Sequence, residues 1–230
     1  MIAGELPPPA ASRLRAVLDL LAADPNAPSS VRDPERAWAV HVADSLTGLE
    51  VEPLRHAGRI ADVGAGAGFP GLVLAVALPD AQVDLIESVR RKCDFIERAI
   101  ERAGITNARA VCARAETWAA DAAPGGGGEA YAAVTARAVG RLATLAELAS
   151  PLLADGGALV VWKGRRDADE EDELARVADR LAMEPVEVRW VGPYAGSRNR
   201  HLHVMRKVGP TPVELPRRPG MAKKRPLGSS

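Results

Sequence analysis

Residues 60–71 read I-A-D-V-G-A-G-A-G-F-P-G, a short apolar strand that enters a glycine-rich turn and then a helix begun by proline. Few folds accommodate such a run. Gly64, Gly66 and Gly68 carry no side chain, so the backbone can turn tightly and a ligand can approach main-chain N–H groups closely. Pro70 suits the first helical turn, where an N–H has no partner inside the helix. The segment therefore predicts a strand-to-helix switch that cradles an adenosine-bearing cofactor, against the plainer alternative of a tight turn without a ligand.

Two cofactors compete for that turn. Gly66, Gly68 and Gly71 formally satisfy the dinucleotide pattern G-x-G-x-x-G, which favours NAD(P). The register favours S-adenosyl-L-methionine instead, because Asp62 sits inside the strand and the glycines follow as D-x-G-x-G-x-G. A carboxylate there suits the ammonium of a methionine moiety and would repel a pyrophosphate.

The rest of the chain alternates apolar runs with helical patterns. Strands are expected at 60–63, 83–86, 108–112, 131–135 and 158–162, each followed by helix-compatible sequence, which is the rhythm of a parallel sheet with helices on both faces. In the helix after the second strand, Ser88 is the expected cap, Val89, Cys93, Ile96, Ile100 and Ala103 form the apolar face, and Gly104 ends it. Residues 186–191 and 201–207 are expected to pair antiparallel, since the loop G-P-Y-A-G-S-R-N-R leaves no room for a crossover helix. Acidic residues 167–173 suit the first turn of a helix running through Leu174, Val177 and Leu181. Residues 124–128, P-G-G-G-G, read as a flexible loop.

A length of 230 residues with 47% hydrophobic content suits one globular core. The chain has no run of roughly 20 apolar residues, and its opening lacks the pattern of a secretory signal, so a cytoplasmic location is expected. Cys93 and Cys112 have neither disulfide-scaffold nor metal spacing and read as buried thiols. His201 and His203 share one strand face with nothing evident to complete a metal site. Net charge is zero, yet nine of the cations fall between Arg198 and Arg225 against one acid, Glu214. That end can meet phosphates, or can be a solvated tail broken up by its prolines.

Glu87 ends the second strand about 20 residues past the glycine turn, where a ribose diol is held. After the third strand, Arg114-Ala115-Glu116 lies where an adenine edge would be read by backbone groups, or else simply starts a helix. Arg137 and Lys163 end adjacent strands, as solvated charges or as contacts to an acceptor. Phe69 either stacks on a base or packs under the helix. On the helix with Trp38, Val42 and Leu46, Asp44 and Ser45 are expected to face the cofactor mouth.

Laid end to end, these motifs resemble the RsmG (GidB) family, which methylates guanine N7 in 16S ribosomal RNA of the small subunit. The likeness runs from Asn26 to the tail. It comprises N-A-P-S-S-V-R-D-P-E-R, with Ala27-Pro28 where the family usually has Leu-Thr, then H-V-A-D-S-L with His41, Asp44 and Ser45, and the cofactor turn. It continues with Thr135-Ala136-Arg137-Ala138, W-K-G with Lys163, R-H-L with Arg200 and His201, and P-R-R-P-G-M-A-K-K-R-P-L. The resemblance implies a Rossmann-like class I methyltransferase fold of the α/β class, with a mostly parallel seven-stranded sheet and an antiparallel last strand. It implies a helical segment at 1–58 packed on the core, a cofactor-binding domain at 59–208 and a basic tail at 209–230. S-adenosyl-L-methionine is the implied cofactor, held by Asp62, Gly64, Gly66, Gly68, Phe69, Glu87, Ala115, Glu116 and Arg137. The partner is 16S rRNA or a small ribosomal subunit particle, contacted by Arg200, His201, Arg217, Arg218, Lys223 and Lys224, without a metal or a membrane.

Methyl transfer to N7 is attack by a free ring lone pair, so no general base is required and alignment carries the catalysis. Because N7 must stay free, Arg137 or Lys163 can bind only O6 or a phosphate and not the usual O6/N7 pair. On this reading the tail should bind RNA independently of the cofactor. An NAD(P)-linked oxidoreductase and a non-catalytic RNA-binding module are the competing readings.

Overall fold

The computed structural model describes residues 6–121, 123–137 and 140–228. Ala138 of the Thr-Ala-Arg-Ala motif and the opening M-I-A-G-E lie outside them. All of the expected strands form: β1 Arg59–Val63, β2 Gln82–Glu87, β3 Ala108–Cys112, β4 Tyr131–Arg137, β5 Leu153–Lys163, β6 Met183–Trp190 and β7 His201–Lys207. They make one seven-stranded sheet in the order β3-β2-β1-β4-β5-β7-β6. β1 pairs parallel with β2 and with β4, β2 with β3, and β4 with β5, while β7 runs antiparallel between β5 and β6. The order reverses at β1, so the crevice where ligands bind in such sheets opens above its carboxyl end.

Helices cover both faces. α1 Pro8–Ala23, α2 Pro34–Ala37, α3 Asp44–Leu46, α4 Glu52–Arg55, α5 Gly71–Ala77 and α6 Arg90–Ala103 lie with one core cluster, into which Leu14, Leu21, Leu72, Phe95 and Ile60 are buried. α7 Ala115–Ala119, α8 Leu142–Ala149 and α9 Ala168–Val177 lie with the other, around Val63, Val134, Leu145, Leu159 and Leu174. Alternate residues of a strand point to opposite faces, and that is why Ile60 joins the first cluster while Ala61 and Val63 join the second. Covered on both sides, the central strands read as continuous apolar runs and not as alternating ones.

Local chemistry sets the boundaries. Asp167 accepts the Glu170 amide at 3.2 Å and begins α9, as its acidic run suggests. Gly104 ends α6 in the left-handed region at φ 59°. The expected cap of that helix is displaced: α6 starts at Arg90, with Val89 at the N-cap and no side-chain cap, and the Val89 amide donates to Glu87 Oε1 at 2.9 Å. Val89 is correspondingly exposed and lies outside the helix's apolar face. Cys93 is fully buried and Cys112 only half-buried. The loop 124–128 is tied down, since Gly125 O accepts from both Arg59 and Arg109.

Candidate active site

A cavity of about 1230 Å³ opens at the carboxyl ends of β1, β2, β4 and β5. The glycine turn forms its floor. Gly64 and Ala65 donate to Ile86 O at 2.8 and 3.1 Å, and the Gly66 amide donates to Glu87 Oε2 at 3.1 Å, so the turn is bolted to the end of β2. Two glycines are required there for different reasons. Gly66 has φ 60° and a Cβ there would meet only Gly64 O, at 3.8 Å, whereas Gly68 has φ 93° and a Cβ there would meet Leu72 at 2.4 Å. Gly66 therefore serves the left-handed backbone of the turn, and Gly68 leaves room for the packing of α5.

Asp62 has a different place from the one its register suggested. It is 1% exposed, its Oδ2 accepts the Gly71 amide at 2.9 Å and its Oδ1 accepts the Thr135 hydroxyl at 3.0 Å. Both oxygens are thus spent inside the protein, holding the first turn of α5 against β1 and β4, and neither lines the cavity. Burial pushes its carboxyl up to about 6, against the lowering effect of those two hydrogen bonds.

Glu87 does line the cavity and is 5% exposed, with Lys92 at 3.6 Å. Ala115 and Glu116 form the wall beyond β3. Glu116 is buried, and its Oε1 accepts the backbone amide of Gly220 at 2.6 Å, so its carboxylate serves the C-terminal segment.

Across the cavity, residues 38–43 form a π-helical turn between α2 and α3, a distortion often found where a side chain must be re-aimed for function. It brings His41 and then Asp44 to the cavity. Arg137, at the end of β4, sits 3.1 Å from Asp44 Oδ2, donates to Val40 O at 3.2 Å and meets His41 Nδ1 at 3.3 Å. Trp162 of the W-K-G run holds this segment from below, donating to Asp44 O at 2.8 Å. His41 stacks on Phe69, with centroids 4.6 Å apart and planes 5° from parallel, and Phe69, 5% exposed, also lines the cavity. Burial and the Arg137 charge push His41 down to about 4, leaving it neutral near pH 7. Burial likewise lowers Arg137. Ser45 is buried beneath, its hydroxyl on His41 O at 2.5 Å.

Asp44 Oδ1 and Arg200 Nε lie 3.8 Å apart in this wall. Both are buried, and neither has a hydrogen-bond partner among the described residues. Such orphaned groups are costly unless a ligand satisfies them. Lys163 lies beside them, donating to Gly140 O at 2.9 Å and to Glu170 Oε1 at 2.8 Å. His201 is half-buried with Nδ1 on Gly164 O at 2.8 Å. The exposed cations around the mouth include Arg114, Arg141, Arg165 and Lys223, of which composition had singled out only the last.

The C-terminal segment is folded and not a free arm. Arg217 makes two 2.6 Å hydrogen bonds to Glu147 of α8, whose side chain is 3% exposed. Leu215 and Ala222 are buried, α10 spans Met221–Lys224, and Gly220, Ala222, Lys223 and Pro226 line the cavity. Arg217 is thereby withdrawn from the RNA-contact set, whereas Arg218, Lys223 and Lys224 remain exposed. Ser29, in the loop before α2, also reaches the cavity and meets His41 Nε2 at 3.1 Å. The sequence marked that loop only through the family resemblance.

Among the described residues, no group of three or more His, Cys, Asp or Glu is placed to hold a metal ion. Among the same residues, no helix is long and apolar enough to cross a membrane.

A family model for rRNA small subunit methyltransferase G matches residues 24–202. The Ribosomal RNA small subunit methyltransferase G of Pelotomaculum thermopropionicum is 42% identical over 196 residues, covering 84% of this chain and 80% of the relative. That of Rubrobacter xylanophilus is 42% identical over 200 residues, covering 85% and 75%. Among solved structures, Aeropyrum pernix fibrillarin in complex with natively bound S-adenosyl-L-methionine superposes with TM-score 0.54 at 16% identity, covering 71% of this chain and 72% of that one. Methanococcus jannaschii fibrillarin, a pre-rRNA processing protein, gives 0.55 at 17%, covering 73% and 74%. These two likenesses are of fold alone.

Proposed function

This chain belongs to the rRNA small subunit methyltransferase G family, and on that premise we propose that it transfers a methyl group from S-adenosyl-L-methionine to N7 of a guanine in a loop of 16S ribosomal RNA. The observation that carries the reading is the continuity of one cavity from the glycine turn to the Asp44–Arg137–Arg200 wall. The residues fit the cofactor. The cavity along the turn at 64–66 suits an adenosine, Glu87 suits a ribose diol, and backbone groups at 113–115 suit an adenine edge. The orphaned acceptor on Asp44 and donor on Arg200 suit an amino-acid end that carries an ammonium and a carboxylate. Asp44 therefore takes the role that register had offered to Asp62.

When bound, the cofactor supplies an electrophilic methyl on a sulfonium centre. The chain's own residues then have positioning to do. His41 is neutral, and no base is needed for a lone pair to attack, so the site's work is alignment and exclusion of water. Lys163, fixed by Glu170 and Gly140 O, offers its ammonium to O6 or to a phosphate while leaving N7 open. Arg137 is spent on Asp44, His41 and Val40 O, and it orders the wall against which the base and the methyl donor meet. The exposed cations at the rim, with Arg218, Lys223 and Lys224, suit the backbone of an RNA loop.

The dinucleotide reading finds no comparable support in the family match. A thermal-shift comparison of S-adenosyl-L-methionine, its demethylated product and NAD(H) tests the cofactor, with stabilisation expected from the first two alone. Transfer of labelled methyl to small-subunit RNA or particles tests the acceptor. Stabilisation without any transfer to either would favour the non-catalytic RNA-binding module.

A further inference from the structure

Residues 215–226 have the composition of a solvated tail, yet they close one side of the cavity. Gly220, Ala222, Lys223 and Pro226 are part of its lining, and Leu215 is buried in the same core cluster as Leu145 and Leu174. Fixing a backbone costs conformational entropy at every residue, so a segment this long stays folded only if its anchors outweigh that. Here the anchors reach far along the chain. Glu147 and Arg217 meet through two 2.6 Å hydrogen bonds, and Arg217 Nη2 also donates to Arg225 O at 2.9 Å, closing the segment into a loop. Thr144 of α8 and Ala222 O stand 3.4 Å apart.

The decisive contact is at Glu116. It follows Ala115 in the wall beyond β3, the place assigned to the adenine edge, and its Oε1 accepts the Gly220 amide at 2.6 Å. Two buried acids, Glu116 and Glu147, thus each have a partner in the C-terminal segment. Without that segment, Glu147 would remain as a buried charge lacking its arginine, an arrangement that is strongly destabilising. The carboxylate of Glu116 is likewise occupied, which leaves backbone groups to read the adenine.

We propose that residues 215–226 are a built part of the cofactor site, the wall over its adenine side, and that Arg217 is a positioning residue for that wall and not an RNA contact. The inference rests on the S-adenosyl-L-methionine reading above. It reverses the expectation that the basic tail acts on RNA independently of the cofactor, because removing the segment would open the side of the cavity where the adenine lies. The exposed cations Lys223 and Lys224 are then carried on the cofactor wall itself.

Two measurements test it. Calorimetric titration of S-adenosylhomocysteine into the full chain and into Arg217→Ala and Arg217→Lys should show affinity falling on the order of tenfold or more in the alanine variant, with partial recovery in the lysine variant. Limited trypsin digestion of the wild-type chain needs no variant. The bonds after Arg217, Lys223 and Lys224 should be cut more slowly when the same ligand is present. Wild-type binding with Arg217→Ala unchanged, or with removal of the segment by trypsin leaving affinity intact, overturns this inference alone. A wild-type chain that binds neither S-adenosylhomocysteine nor S-adenosyl-L-methionine overturns the cofactor reading itself and the inference with it.

Discussion

Arg137 Nη1 stands 3.1 Å from Asp44 Oδ2, joining the end of β4 to the helical segment that crosses above it. Their side chains are 15% and 10% exposed, so each charge depends on the other. Arg137→Ala should therefore destabilise the fold by about 3 kcal/mol, because a buried carboxylate loses its partner. The double replacement Arg137→Leu with Asp44→Leu should recover much of that stability without recovering methyl transfer. Denaturant unfolding of the single and double variants measures the first effect, and the transfer assay the second. Activity returning with stability would mean that the pair acts only as a structural tie.

The two turn glycines should fail in different ways. Gly66→Ala sets a side chain at φ 60° with only Gly64 O, at 3.8 Å, against its Cβ, a strain of about 1–2 kcal/mol in a turn that lines the cavity, and should weaken cofactor binding in a chain that still folds. Gly68→Ala at φ 93° drives the methyl onto Leu72, so the fold itself should suffer. Thermal melts beside cofactor titration separate the two. Unimpaired binding by Gly66→Ala would place the cofactor away from this turn.

Lys163 donates to Glu170 and to Gly140 O at the mouth. Lys163→Ala should lower kcat/KM for RNA on the order of tenfold to a hundredfold while leaving cofactor affinity unchanged. A parallel loss of cofactor affinity would place the lysine in the cofactor site instead.

Acidification sets one gain against two losses. Asp62 is raised from 3.8 to about 6, so the stability it contributes is full below its unfolded value and disappears as pH rises through 6. His41 and His203 are lowered from 6.5 to about 4, so theirs is full above 6.5 and disappears as pH falls towards 4. The histidine shifts are the larger and there are two of them, so the melting temperature should fall between pH 6.5 and 4. Asp62→Asn removes the opposing gain and should make that fall steeper. Parallel curves for the two proteins would show that Asp62 does not titrate in this window.

The sheet was legible because burial on both faces leaves a mark, a short apolar run, as in β1, β4 and β5, whereas the edge strand β3, with only Val111 buried, carries it weakly. The glycine turn was legible because few other sequences can make it. Contacts that are distant along the chain left no such mark. Arg217 finds Glu147 at a separation of 70 residues and Gly220 finds Glu116 at 104, so the cations and prolines of the segment read only as a solvated tail. Asp62 was misplaced for a related reason. Its position before the glycines is right for a carboxylate that touches the turn, but whether it touches from the ligand side or from beneath depends on Thr135 and Gly71, which close over it. Ser88 lost its capping role because the helix begins one residue later, with Val89 in the extended region at the N-cap and no side-chain cap.

The most direct measurement is to supply labelled S-adenosyl-L-methionine to small-subunit RNA and particles from cells lacking this protein, then digest the product to nucleosides and identify the labelled one by mass spectrometry. The label should appear in N7-methylguanosine and should fall with Lys163→Ala at limiting RNA. Label in any other nucleoside, or none in RNA or particles from an enzyme that binds the cofactor, would contradict the account.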